Sequence, residues 1–201
     1  MALHQYKNTG RNRVCVAGDW RCTFSLWVNA TPIPADAHGI QTDLLDSADP
    51  IGAVYVTPSH QYPLGSVLSL ERRLHLLNLI EASGGWLIED DYDSDFNHAQ
   101  PGARPLPAIQ GLRPDAPVIY VGTFSKLLYP GLRIAYLVVP RWAVADIGEA
   151  IHNLYRGGQA VEQRALARFL EAQGVPVFSP RSNMFFTWMS TRIPMVTPTP
   201  R

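Results

Sequence analysis

Short, continuous apolar runs alternate along this chain with segments of helical period, and that alternation limits the fold more than any other feature. Residues 52–56 (GAVYV), 86–88 (WLI), 116–121 (APVIYV) and 134–139 (IAYLVV) are apolar runs closed by turn-forming or charged residues. Runs of this length and punctuation read as buried strands. Between the first two, residues 69–82 (SLERRLHLLNLIEA) place Leu70, Leu74, Leu77 and Ile80 on one helical face, with Arg72, Arg73 and Glu81 elsewhere. Ser83-Gly84-Gly85 is the stop. Residues 106–112 read as a short helical turn, and 142–155 and 160–172 as helices parted by Arg156-Gly157-Gly158. Strands that are apolar throughout, rather than at every second position, belong to parallel sheets covered by helices. The expected class is therefore α/β, a three-layer α/β/α sandwich around a mostly parallel sheet.

The ends differ from this middle. Residues 1–30 show no clear periodicity, and residues 175–201 are rich in proline and close on TPTPR. The expected division is an atypical segment over 1–30, the α/β domain over 31–174 and a disordered tail over 175–201. A formal net charge of +0 gives no electrostatic drive toward nucleic acid or a membrane surface. Cys15 and Cys22 are too few for a disulfide framework and lack zinc spacing. No apolar run is long enough to span a bilayer, and the N-terminus lacks the apolar stretch of a secretory signal. The expected setting is the cytoplasm.

In parallel sheets ligands sit beyond the carboxyl ends of the strands. Polar clusters fall there: residues 59–62 after one strand, 89–95 after the next, and 123–126 after a third. Lys126 stands in a small-residue loop with hydroxyls one and three positions before it, Ser125 and Thr123, and with Arg133 opening the following strand. Most lysines are solvated loop residues. One held between buried strands is partly desolvated, and its neutral amine becomes an available nucleophile. Hydroxyls and a guanidinium take a phosphate while the amine takes a carbonyl, so the loop suits a phosphorylated aldehyde cofactor held as a Schiff base.

The acidic run of residues 89–96 (EDDYDSDF) invites a second reading, because Asp91, Asp93 and Asp95 have the spacing of a calcium loop. Phe96 stands where that loop needs glycine, and Gly102 where it needs glutamate. No metal is expected. The better reading is a buried carboxylate, Asp90, that keeps a pyridine nitrogen protonated, with Tyr92 offering its phenol to the ring oxygen. Thr123-Phe124-Ser125-Lys126 echoes a serine-nucleophile motif, but threonine replaces the serine and no K-T-G follows. His60 is as well explained by a structural hydrogen bond as by participation.

Residues 56–65 (VTPSHQYPLG), 88–96 (IEDDYDSDF) and 122–140 (GTFSKLLYPGLRIAYLVVP) resemble the fold-type I pyridoxal-phosphate enzymes. More specifically, they are similar to the aminotransferase-like domain of the MocR group of GntR-type bacterial transcription regulators. The resemblance runs over residues 33 to 174, with the motifs in the expected order. It implies the central part of a fold-type I large domain with pyridoxal 5'-phosphate as cofactor. Lys126 would be the Schiff-base lysine and Asp90 the partner of the pyridine nitrogen. Tyr92 would meet the ring hydroxyl, and Thr123, Ser125 and Arg133 would surround the phosphate. Tyr62 holds the place before Pro63-Leu64-Gly65 where many of these enzymes carry asparagine.

The resemblance implies an aminotransferase-like domain that forms an internal aldimine and acts on an amino acid or amine. It equally admits a cofactor- and effector-sensing domain of a regulator that turns over little. A homodimer is implied, with no nucleic-acid contact from these residues. The winged helix-turn-helix domain and small C-terminal domain of the group have no counterpart here, so a truncated or frameshifted reading frame is the expectation for both ends.

Overall fold

The computed structural model describes residues 13–17, 29–45, 51–61, 64–92, 106–125, 128, 130–155, 158–172 and 187–188. In chain order the strands and helices are β1 (Arg13–Ala17), β2 (Asn29–Ile33), β3 (Ala35–Asp36), β4 (Gly39–Ile40), β5 (Ile51–Val56), α1 (Leu70–Ser83), β6 (Trp86–Asp91), α2 (Ile109–Leu112), β7 (Val118–Thr123), β8 (Ala135–Val138), α3 (Val144–Tyr155), α4 (Ala160–Ala172) and β9 (Thr187–Trp188). The chain divides into two compact units, Met1–Gly122 and Thr123–Arg201.

In the first unit the strands lie in the order β2-β1-β5-β6-β7, every neighbouring pair parallel. The register sets Tyr55 beside Ile88, Asp90 beside Val121 and Asp91 beside Gly122. A separate antiparallel ribbon, β3–β4, is tied to α1 by Arg72, which donates to both Asp36 carboxylate oxygens at 2.6 and 2.7 Å and to Gly39 O at 2.8 Å. That guanidinium holds the Asp36 carboxyl at about 2. In the second unit β8 pairs antiparallel with β9.

Helix α1 starts where Ser69 Oγ accepts the Arg72 N–H at 3.3 Å. It ends at Gly84, whose φ of 65° is the left-handed cap and whose N–H reaches Ile80 O at 3.0 Å. Gly85 is required for a different reason: a Cβ there would stand 2.5 Å from Ile51 O, so the turn entering β6 passes too close to β5 for any side chain.

The buried face of α1 is not the expected one. Leu76, Leu77, Leu79 and Ile80 are buried together with Arg73, whereas Leu70 and Leu74 are 41% and 39% exposed. The stripe is rotated because the Arg73 guanidinium has buried work inside: Nε donates to Leu68 O at 2.9 Å, Nη1 to Pro107 O at 2.8 Å and Nη2 to Pro58 O at 3.0 Å. Those carbonyls belong to the loops that follow β5 and precede α1 and α2. An arginine with all its nitrogens engaged can be buried; an unpaired one cannot.

The strands are apolar throughout, yet their burial alternates. Val54, Val56, Leu87 and Val118 are almost wholly buried and join Leu76, Leu77, Ile80 and Ile109 in one core. Tyr55, Trp86, Ile88, Ile119 and Val121, on the opposite face, are half-buried. Each fully buried leucine, isoleucine or valine contributes about 1.5–3 kcal/mol, so the helix-covered face dominates the stability of this unit. Strand β1 falls where no periodicity was legible, and β9 falls within the segment expected to be a disordered tail. The rest of that tail, and most of residues 1–30, lie outside the described residues. No helix among the described residues is long and apolar enough to cross a membrane.

Candidate functional site

Strand β6 ends in three successive acids, and the pleat sends them to alternate faces. Glu89 points into the helix-covered core, is fully buried, and accepts the N–H groups of Ile109 at 2.9 Å and Gln110 at 3.0 Å. Burial pushes its carboxyl above the usual carboxylate range; the two amides and the Arg73 charge act in the opposite sense. Asp91 shares that side and accepts the Tyr120 hydroxyl at 2.6 Å. Both are engaged in holding the fold.

Asp90 faces the half-buried side of the sheet. Its Oδ2 accepts a hydrogen bond from the phenol of Tyr55 on the neighbouring strand. Burial, reinforced by that carboxylate, drives the Tyr55 phenol far above its ordinary value, so it remains a neutral donor. Tyr92, the aromatic expected at the ring hydroxyl, already has a partner in the fold. Its hydroxyl donates to His60 O at 2.9 Å, and its ring stacks on the His60 imidazole with centroids 6.4 Å apart. A phenol has one proton, so Tyr92 gives that proton to a ring oxygen only by exchanging its bond to His60. His60 thus serves here as an acceptor through its backbone, while Gln61 is buried and its Oε1 accepts from Thr57 Oγ1 at 3.3 Å.

In the second unit Thr123, Phe124 and Ser125 form a tight hydroxyl-bearing turn. Ser125 N donates to Thr123 Oγ1 at 3.1 Å, and the two side-chain hydroxyls lie 3.0 Å apart. Thr123 Oγ1 and Phe124 N both reach Ile134 O, at 3.4 and 3.1 Å, which locks the turn to the residues opening β8. Leu128 N donates to Phe124 O at 3.0 Å. Arg133 is exposed and has a φ of 52°, the left-handed region that costs a non-glycine residue about 1–2 kcal/mol. Among the described non-glycine residues it alone has a positive φ. Such strain persists where the surroundings fix the backbone, and it gathers at ligand sites.

Lys126 and Tyr62 lie outside the described residues. Of the remaining expected site residues, Asp90 and Tyr92 belong to the first unit and Thr123, Ser125 and Arg133 to the second. The sequence reading passed over Tyr55, Arg73 and Glu89. A tyrosine inside an otherwise apolar strand was the available signal for Tyr55, and it became informative only once the parallel register set β5 beside β6.

Each half suits a phosphorylated pyridine. The first unit supplies an oriented carboxylate on a half-buried face, and the second supplies adjoining hydroxyls and an exposed guanidinium. A parallel α/β sheet with an oriented carboxylate at a strand's carboxyl end is the framework of the pyridoxal-phosphate-binding class to which the family below belongs. The chain belongs to the aminotransferase class I and II family, whose model matches residues 33–193. Pyridoxal phosphate is the cofactor that goes with that family.

The uncharacterized HTH-type transcriptional regulator YhdI of Bacillus subtilis is 39% identical over 144 residues, which is 72% of this chain and 30% of that protein. The probable rhizopine catabolism regulatory protein MocR of Rhizobium meliloti is 39% identical over 140 residues, 69% of this chain and 27% of that one. This chain therefore spans less than a third of the length of these regulators. Among solved structures, the kynurenine aminotransferase of Pyrococcus horikoshii superposes with a TM-score of 0.72 at 24% identity, covering 82% of this chain and 43% of its own. That likeness establishes the fold.

Proposed function

We propose that this chain is a pyridoxal-phosphate-binding aminotransferase-like domain that acts on an amino acid or amine in the cytoplasm. The observation that carries the reading is the sorting of acids on β6. Glu89 and Asp91 are engaged on the helix-covered side, and Asp90 alone of the three is turned to the half-buried face. When bound, the cofactor supplies an aldehyde and an electron-accepting ring.

The chain's own residues have separate tasks. Asp90 holds the proton on the ring nitrogen, which keeps the ring electron-poor. Thr123 and Ser125 donate hydroxyls to the phosphate, and Arg133 supplies charge-assisted bonds. Lys126 would hold the aldehyde of the bound cofactor through its amine and, once the substrate's amine had displaced it there, would be the base that moves the proton at the substrate's Cα. Tyr62 and Tyr92 would contribute aromatic contacts to the bound ring, Tyr92 by giving up its bond to His60 O.

The test is borohydride reduction of the chain mixed with pyridoxal phosphate, followed by peptide mass mapping. A phosphopyridoxyl group on Lys126 is expected, and scattered or absent labelling overturns the assignment. A second reading starts from the relatives, which are named as regulators: here the domain would sense cofactor and effector, with DNA contacted elsewhere, and a homodimer is our own expectation by analogy with the fold. Incubation with an amino acid and an oxo-acid separates the two readings. Pyridoxamine phosphate formed faster than with free cofactor marks an enzyme, and no excess marks a sensor.

A further inference from the structure

The hydrogen bond between Tyr55 and Asp90 has a role beyond packing, one that rests on the cofactor reading above. Tyr55 pairs in register with Ile88, so its side chain and that of Asp90, two residues on, share a face of the sheet. The phenol spans this diagonal and donates to Oδ2. A carboxylate's terminal torsion is broad and its plane is easily turned. A tyrosine ring, by contrast, has few torsions, and this one is half-buried on a central strand.

We propose that Tyr55 is a positioning residue that sets the plane of the Asp90 carboxylate, and thereby the domain's preference for a ring bearing a protonated nitrogen over the same ring without one. The preference is distinct from affinity for the phosphate or the aldehyde, which other residues recognise. The phenol stays protonated through the physiological range because of its burial, so the device does not switch with pH.

The probe is a pair of ligands: pyridoxal phosphate and its carbocyclic analogue, in which C–H replaces the ring nitrogen. Dissociation constants for both are measured by equilibrium dialysis on the wild-type chain, Tyr55→Phe and Asp90→Asn, without any turnover assay. The wild type should prefer the natural ring, and Asp90→Asn should erase the preference. Tyr55→Phe should cut the preference about tenfold, the equivalent of about 1.4 kcal/mol and the scale of one charge-assisted bond, while leaving the analogue's affinity unchanged.

The other outcomes fall into distinct classes. If Tyr55→Phe keeps the full preference while Asp90→Asn loses it, the Tyr55 proposal fails and the Asp90 reading stands. If Tyr55→Phe weakens both ligands equally, Tyr55 is a packing residue only, and the proposal fails again. If Asp90→Asn keeps the preference, or the wild type binds neither ligand, the cofactor reading itself fails and takes Tyr55 with it. Unchanged binding of the analogue also reports that the variant has folded.

Discussion

Replacing Arg73 with methionine keeps a long apolar stem and removes every donor. Three backbone carbonyls lose the guanidinium: Leu68 O, Pro107 O and Pro58 O, the last of which keeps the Leu68 N–H at 2.9 Å. A hydrogen bond from a charged group contributes about 1.5–3 kcal/mol net, so the gross loss over three bonds is about 4.5–9 kcal/mol. Part of this returns, because burial disfavours the guanidinium's charge and methionine carries no such penalty. Glu89 meanwhile loses a cation that favours its ionised form. The expected net destabilisation is about 3–5 kcal/mol, the usual cost of removing one member of a buried charged network.

In urea, with a slope of about 2 kcal/mol per molar, the midpoint should fall by about 2 M. Arg73→Lys should recover only part of the loss, since one ammonium cannot span three carbonyls as a planar fork does. A midpoint for Arg73→Met within about 0.3 M of wild type would refute the reasoning, because it would mean that solvent satisfies those carbonyls. A lysine variant as stable as wild type would refute the geometric part alone.

Gly85→Ala should destabilise by about 1–3 kcal/mol in the same assay, because its Cβ would meet Ile51 O at 2.5 Å; a neutral outcome would show that β6 can shift freely. Arg133→Gly should raise thermal stability by about 1 kcal/mol by relieving the left-handed backbone, while weakening pyridoxal phosphate binding; loss of both together would contradict the separation of backbone from side chain. The Glu89 carboxyl is raised from 4.5 in the folded state, so the fold binds more protons than the unfolded chain as pH rises past that value, and stability is lost. The stability gap between wild type and Glu89→Gln should therefore narrow as pH is raised above about 4.5. A gap that widens would mean that the amides and Arg73 outweigh desolvation.

Much of the fold is legible because apolar runs and glycine stops act locally. Strands β5 to β8 and helices α1, α3 and α4 fall within a few residues of their expected bounds. The expected face of α1 failed at Arg73, because a helical-period count scores arginine as polar and cannot see three carbonyls waiting for it. The choice of Asp90 among neighbouring acids came from its place at a strand end and from the resemblance; what the sequence could not show is that Glu89 is buried and that Asp91 accepts the Tyr120 hydroxyl. For Tyr92 the sequence suggested a ligand contact and gave no sign of the backbone carbonyl of His60 that its hydroxyl also reaches. Strand β1 escaped notice because what holds a strand in a sheet includes its neighbours β2 and β5, which a local pattern does not contain.

The alternation of acids along β6 makes its spacing less negotiable than its composition. Several residues at the β6 positions can be exchanged for others of like size at modest cost. Losing or gaining a single residue between Gly85 and Asp90 would turn every following side chain to the opposite face. Asp90 would then be driven into the core beside the N–H groups of Ile109 and Gln110, and Glu89 or Asp91 would take the half-buried side. Length variation should therefore be rejected in this strand and tolerated in the loops around it, so drift in this domain proceeds by substitution at β6 and by insertion elsewhere.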